Sequence, residues 1–260
     1  MNMTGNTILI TGGGSGIGRG LAEAFHKLGN VVIVAGRRKD MLDAATSANP
    51  GMKSAVLDVQ NAAQLPAFAA KIAEQYPALN VLINNAGIMK TENLQEPSKS
   101  SADAEAMVAI NLLAPMSLTA ALLPLLKKQN RATVMTVSSG LAFVPMAMTP
   151  TYCATKAAIH SYTQSLRYQL KDTKVEVLEL VPPYVATELM GAQMAKDPRA
   201  MPLDEFITEV MEILKTQPEA TEICVKRVYP LRFAEEQGHA KYEDLFRTFN
   251  GSMTSAASAN

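Results

Sequence analysis

The chain has 260 residues, 48% of them hydrophobic, with 24 Lys and Arg set against 24 Asp and Glu and a formal net charge of zero. That length and apolar share suffice to bury the core of one large domain. The balanced charge, with no basic run, leaves no electrostatic footprint for nucleic acid or an anionic membrane, so a small-molecule partner is expected.

Apolar, β-branched runs alternate with helical patterns: 7–11 then 21–28, 31–35 then 41–48, 54–57 then 62–76. The run 81–83, a helix around 104–126, the run 133–137, a long helix through 156–170 and the strand 175–181 continue the alternation. Strands that read as unbroken apolar runs between crossover helices predict an α/β domain, its parallel sheet covered on both faces. The longest apolar stretch, 112–126, is interrupted by Pro115, Ser117, Thr119 and Pro124. It falls short of the roughly 20 residues a bilayer requires, and a buried helix face is expected there.

Beyond 181 the rhythm breaks at Pro182-Pro183. The next segment carries Met190, Met194, Met201 and Met211, divided by Pro198 and Pro202. A substrate lid at about 184–220 and a set of core-filling methionines both fit it. A strand at 222–228 and a helix at 235–249 would close the sheet, and the small, polar stretch 251–260 reads as a flexible tail. Residues 1–7 show no charged n-region, apolar h-region or small-residue cleavage site, and a cytoplasmic protein is expected. Cys153 and Cys224 offer neither a disulfide framework nor metal-ligand spacing, and His26, His160 and His239 stand in no motif. Neither a metal site nor a catalytic thiol is expected.

Directly after the first strand comes Thr11-Gly-Gly-Gly-Ser-Gly-Ile-Gly18, leading into an apolar helix. A turn nearly free of Cβ atoms lets backbone N–H groups approach a phosphate, and the helix N-terminus adds its dipole, which makes a pyrophosphate site. The spacing Gly12, Gly16, Gly18, with Gly14, Ser15 and Ile17 between, is not G-x-G-x-x-G and lacks the lysine of a P-loop. About 20 residues further on, an acidic side chain would hold a ribose 2′-hydroxyl. Here Ala35-Gly36-Arg37-Arg38 offers no carboxylate before Asp40. A guanidinium matches a 2′-phosphate in charge and fork geometry, so NADP(H) is expected over NAD(H), with Arg37 the main contact and Arg38 beside it. The bland alternative is that both arginines solvate the start of a helix.

Tyr152 and Lys156 stand four residues apart, which on a helix puts phenol and ammonium on one face. Ser139 precedes Tyr152 by thirteen residues. A phenol titrates near 10 in water, too high for proton transfer at neutral pH, and a neighbouring cation favours the phenolate. Alone the pair would be a solvated helix pair.

Taken together, these residues make the chain resemble a short-chain dehydrogenase/reductase of the single-domain type over essentially its whole length. Thr11-Gly-x-x-x-Gly-Ile-Gly18 matches that family's cofactor turn, Asn84-Asn85-Ala86-Gly87 its turn after the fourth strand, and Asn111, Ser139, Tyr152 and Lys156 its catalytic set. Pro182-Pro183 and Pro230-Leu231-Arg232 resemble the DltE-like bacterial oxidoreductases, a label that defines no substrate. The resemblance implies a Rossmann-like, doubly wound parallel sheet of seven strands with helices on both faces. It implies adenine contacts from Asp58, with Val59 beside it, and a ribose lined by Asn84, Ala86 and Gly87. Pro182, Val185 and Thr187 would approach the nicotinamide, on a turn reshaped by proline where the family has Pro-Gly.

The chemistry implied is hydride delivery from NADPH to a carbonyl carbon, with Tyr152 as general acid and Ser139 bonded to the same oxygen. Lys156 would lower the Tyr152 pKa and hold the ribose, and Asn111 would anchor a water. Ser138 is expected to point to the opposite face. Phe143, Val144, Met146 and Met148, with Tyr184, Leu189, Met190 and Met194, suit an apolar pocket for a ketone or aldehyde, and equally suit packing. The leading expectation is NADPH-dependent carbonyl reduction, reversible as alcohol oxidation. Its rivals are a 3-ketoacyl thioester reductase, which would need a basic docking patch, and a non-catalytic nucleotide-sensing protein on the same fold. Extensive apolar faces at 104–126 and 152–170 suggest a homodimer or homotetramer.

Overall fold

In the computed structural model, which describes residues 1–95, 101–191, 193 and 196–257 with side chains through Gly251, the apolar runs become strands. These are β1 (Thr7–Thr11), β2 (Val31–Gly36), β3 (Lys53–Val56), β4 (Val81–Asn84), β5 (Ala132–Val137), β6 (Val175–Val181) and β7 (Glu222–Cys224). All pair in parallel into one sheet of order β3-β2-β1-β4-β5-β6-β7. The helices are α1 (Gly16–Lys27), α2 (Lys39–Ala48), α3 (Leu65–Gln75), α4 (Ser101–Val108), α5 (Ala114–Leu126), α6 (Pro150–Gln169), α7 (Leu203–Thr216), α8 (Tyr229–Arg232) and α9 (His239–Ala257).

The unbroken apolar runs follow from burial on both faces. Along β1, Ile8 and Ile10 join Val32, Val34, Leu21 and Phe25 in one core layer with α1 and α7. Leu9, between them, points to the other layer with Ile33, Leu82, Val134 and the helices α3, α5 and α6. Side-chain alternation along a strand thus feeds two cores at once. The strand order reverses between β1 and β4, and a crevice opens at their carboxyl ends.

Four elements depart from expectation. The helix at 104–126 is interrupted by a π-helical turn, Ala109–Leu113, that joins α4 to α5. The continuous run Ser101–Leu126 is long and apolar enough to cross a membrane by length and composition, yet Ile110, Leu118, Leu122 and Leu126 pack it into the sheet's second core. β7 ends at Cys224 instead of 228, because Lys226–Val228 curls into a 3-10 turn that leads to Pro230 in the first turn of α8, where a missing N–H costs nothing.

Within the segment expected as a lid, α7 is a crossover helix of the core. Its Phe206, Ile207, Val210, Ile213 and Leu214 are buried, and Met201 and Met211 join that layer. Met194 lies outside the described residues. The last helix continues through Ala257, so the stretch 251–257 is helical where a tail was expected. Once a helix is under way, each added residue contributes a hydrogen bond.

Candidate active site

A cleft of about 960 Å³ lies at the carboxyl ends of the strands. One end is the glycine turn. Gly12 (φ +66°) and Gly16 (φ +52°) occupy left-handed backbone that L side chains rarely adopt. A Cβ at Gly12 would lie 2.9 Å from both Ala86 Cα and Asn85 Nδ2. The turn after β4 is stitched to this loop: Asn85 Nδ2 donates to the carbonyls of Thr11 (2.9 Å) and Gly12 (3.3 Å). Thr11 Oγ1 accepts from the backbone N–H groups of Asn85 and Ala86, both at 3.1 Å.

Of the predicted cofactor residues, Gly12, Gly14, Ser15, Gly16, Ile17, Val59, Ala86, Gly87, Pro182, Val185 and Thr187 line the cleft. Gly18 and Asn84 do not. Gly18 lies beneath the turn, where a Cβ would sit 2.3 Å from Asn85 Nδ2 and 2.4 Å from Gly12 O. Asn84 closes β4 with its side chain toward α5, where Nδ2 donates to Thr119 Oγ1 at 2.9 Å. Asn85, which sequence reasoning passed over, does the stitching; alternation along β4 is the signal that distinguishes the two.

At the far end of this half, Arg37 and Arg38 both line the cleft. Arg38 Nη2 donates to Ser15 Oγ at 3.1 Å, which ties it to the glycine turn. Arg37 Nε stands 3.9 Å from Asp58 Oδ1, both side chains about half exposed. Asp58 accepts from Gln60 N at 3.1 Å, while Leu57 and Val59 on either side line the cleft.

The other half holds Ser139, Tyr152 and Lys156. Ser139 caps a short 3-10 turn, accepting from Leu141 N at 3.1 Å, and its hydroxyl is close enough to Tyr152 to lower the phenol's pKa. Ser138 also lines the cleft, with its Oγ donating to Leu180 O at 3.4 Å. Lys156 Nζ donates to Val137 O at 2.8 Å and lies 5.6 Å from the Tyr152 ring centre. All three catalytic candidates are buried.

Burial pushes the Tyr152 phenol well above its ordinary value, and the Ser139 hydroxyl offsets this only in part. Burial also lowers Lys156 to about 8, while the Glu179 carboxylate raises it. The expectation that the cation draws the phenol down is therefore not met: the ammonium is turned to Val137, and desolvation dominates. The phenol keeps its proton across the neutral range.

Two contacts that only tertiary structure reveals hold α6 in place. The Glu92 carboxylate accepts from Thr151 N (3.0 Å) and Thr151 Oγ1 (2.8 Å), capping the helix one residue before Tyr152. Asn111, presented by the π turn, accepts from Ile88 N and donates to Ile88 O, both at 2.9 Å, and donates to Thr155 Oγ1 at 3.2 Å. Thr155 Oγ1 in turn donates to Tyr152 O at 2.7 Å. The Asn111 side chain is thus a strut between the β4 loop and α6. A Cβ at Gly87 would be 3.4 Å from its Oδ1 and 3.9 Å from Lys156 Nζ, so the three meet at one point.

Beside Tyr152 lies an apolar wall. Met89, Met107, Met146 and Cys153 are buried against it, with Leu141, Met148, Met190 and Phe249 packed on them. Phe249 comes from α9, whose Asn250 donates to Pro145 O (3.1 Å) and accepts from Ala147 N (2.6 Å). Phe143 and Val144 are not in the cleft: Phe143 packs on Val181, Cys224 and Val228, and Val144 is fully buried. The thiols are protonated, Cys153 pushed up mainly by burial and Cys224 to about 12 by the same cause.

Tyr184 and Leu189 also line the cleft, on a loop clipped at its base by backbone bonds Met201 N to Tyr184 O and Ala186 N to Met201 O, both 2.8 Å. Tyr184 Oη donates to Asp197, which also takes a forked bond from Arg199. Among the described residues only glycines have positive φ, so the double-proline turn is made with ordinary backbone.

The short chain dehydrogenase family matches residues 6–198. The uncharacterized oxidoreductase DltE of Bacillus subtilis is 40% identical over 253 residues, spanning 96% of this chain and 98% of its own. An NADP-dependent 3-hydroxy acid dehydrogenase of Schizosaccharomyces pombe is 30% identical over 244 residues, 88% and 93% of the two chains. The crystal structure of a short-chain dehydrogenase from Streptomyces avermitilis superposes with a TM-score of 0.79 at 23% identity, covering 95% and 98%. A glycine cradle at a strand-order reversal, a buried serine–tyrosine–lysine group and similarity along nearly the whole length converge: the chain belongs to the short-chain dehydrogenase family of nicotinamide-dependent oxidoreductases.

Proposed function

We propose that the protein reduces an uncharged ketone or aldehyde with NADPH and oxidises the corresponding alcohol in reverse. The observation that carries this reading is the placing of Ser139, Tyr152 and Lys156 together in one cleft, with Tyr152 buried among methionines. The cleft suits a dinucleotide: the glycine turn at the N-terminus of α1 lines one end, and Arg37 and Arg38 line it too, which supports a 2′-phosphate there.

When bound, the nicotinamide supplies the hydride. Tyr152 gives its proton to the substrate oxygen, and Ser139 steadies the charge that gathers there. Lys156, as an ammonium, favours the phenolate left behind and holds the nicotinamide ribose. Asn111 keeps α6 registered against the β4 loop and anchors a water that reconnects Lys156 to solvent. The Met148, Met190 and Phe249 wall excludes water and accepts an apolar substituent. A cytoplasmic homodimer or homotetramer is the proposed setting, joined through exposed faces of the α4–α5 run and of α6, where Leu113 of the π turn and Tyr168 are open to solvent.

A second reading is favoured by two cations: Lys196 and Arg199 line the cleft, and the yeast relative is named for hydroxy acids. Turnover of prochiral aryl and alkyl ketones against 3-keto acids decides between the two. For the chemistry itself, Tyr152→Phe is expected to cut kcat at least about a hundredfold with NADPH affinity nearly intact. Turnover near the wild-type rate removes Tyr152 from the mechanism.

A further inference from the structure

We propose that Glu179, oriented by His160, is the buried counter-charge that keeps Lys156 an ammonium. This rests on the role proposed above for Lys156 and adds two residues to it. Glu179 has no exposed surface, and Lys156 is 5% exposed. A carboxylate that deep is sustained only by hydrogen bonds and an opposite charge.

The topology brings the two charges together. Lys156 and His160 lie one turn apart on the same face of α6. His160 Nδ1 reaches both Glu179 oxygens, at 3.0 and 2.8 Å. In the register of β5 with β6, Thr136 is opposite Glu179 and Val137 opposite Leu180. Lys156 Nζ is bonded to Val137 O, on the strand adjacent to Glu179, and neighbouring strands lie about 4.8 Å apart. The electrostatic lift that Glu179 gives Lys156 agrees with this placement.

On its far side the His160 ring is held by Gln164, whose Nε2 stands 3.1 Å from His160 Nε2, so the ring is fixed between Gln164 and Glu179. The surrounding ions are matched elsewhere. Arg232 takes both oxygens of Glu222 at 2.5 and 3.1 Å and lies 3.8 Å from Glu236. Arg167 donates to the carbonyls of Val177 and Thr221, and Cys224 is a neutral thiol. Tyr152 faces Lys156 as an uncharged phenol. Although His160, Glu179 and Glu222 gather their ligand atoms within 4.8 Å, Arg232 and Gln164 already engage them, which favours a charge network over a metal site.

The test is NADPH affinity by fluorescence titration from pH 5.5 to 10. In the wild type affinity weakens through a transition near pH 8, as Lys156 loses its proton. Lys156→Met abolishes the transition. Glu179→Gln moves it down by about one pH unit or more. His160→Gln, which can still donate to Glu179, leaves it in place, whereas His160→Leu moves it as Glu179→Gln does. If Glu179→Gln does not fold, by circular dichroism, the histidine pair carries the test. A transition that survives in Lys156→Met overturns the role of Lys156. One that vanishes in Lys156→Met but stays put in Glu179→Gln and His160→Leu overturns only the present inference.

Discussion

Replacing Lys156 with methionine is expected to stabilise the protein while abolishing its activity. Burial takes the ammonium from its ordinary 10.5 to about 8. At about 1.36 kcal/mol per pH unit, the charged lysine costs the fold roughly 3 kcal/mol at neutral pH. Methionine has nearly the same length and no charge, and the loss of the donor to Val137 O takes back roughly 1–2 kcal/mol. The net gain at pH 7 is about 1–2 kcal/mol, read as a higher urea midpoint at unchanged slope. Between about pH 8 and 10.5 the unfolded chain holds a proton on Lys156 that the folded chain has released, so wild-type stability rises with pH across that window. The variant has no such group. Its advantage over wild type therefore shrinks by roughly 3 kcal/mol from pH 7 to pH 11, and titrations common to both proteins cancel in the difference. A difference that stays flat over that range refutes the reasoning, whatever its size at pH 7.

Arg37→Ala is expected to reduce the ratio of kcat/KM with NADPH to that with NADH by about tenfold or more; an unchanged ratio removes Arg37 from the 2′-phosphate site. Ser139→Ala should lower kcat by about a hundredfold or more, while Ser138→Ala, where the lost hydroxyl donates to Leu180 O, should be mild, and the reverse order overturns the assignment. Gly18→Ala pushes a Cβ to 2.4 Å from Gly12 O and should cost about 2 kcal/mol or more in denaturant unfolding. Neutral stability in that variant would mean the turn rests less closely on α1 than described.

The sheet was legible because strands buried on both faces leave no polar interruption: Ile8, Leu9 and Ile10 go to two different cores and all had to be apolar. The glycine turn and the serine, tyrosine and lysine were legible as local spacing on a strand end and a helix. What escaped depended on contacts across the chain. Glu92 reaches Thr151 from 59 residues away, and nothing around Glu92 announces a helix cap. The π turn at Asn111 has no compositional mark. α7 was amphipathic in sequence, but its methionine-rich surroundings suggested a lid, and only packing on α1 reveals a core helix. Asn84 was assigned to the cleft by motif, although its side chain bonds Thr119 of α5.

The far end of the chain forms one side of the reaction chamber. Asn250 fastens α9 to the loop between Ser139 and Tyr152, and Phe249 beside it presses on Met148 and Met190. Chamber width and dinucleotide grip are consequently carried by segments that share no strand. Substitutions confined to α9 are expected to broaden or narrow what enters without disturbing the glycine cradle.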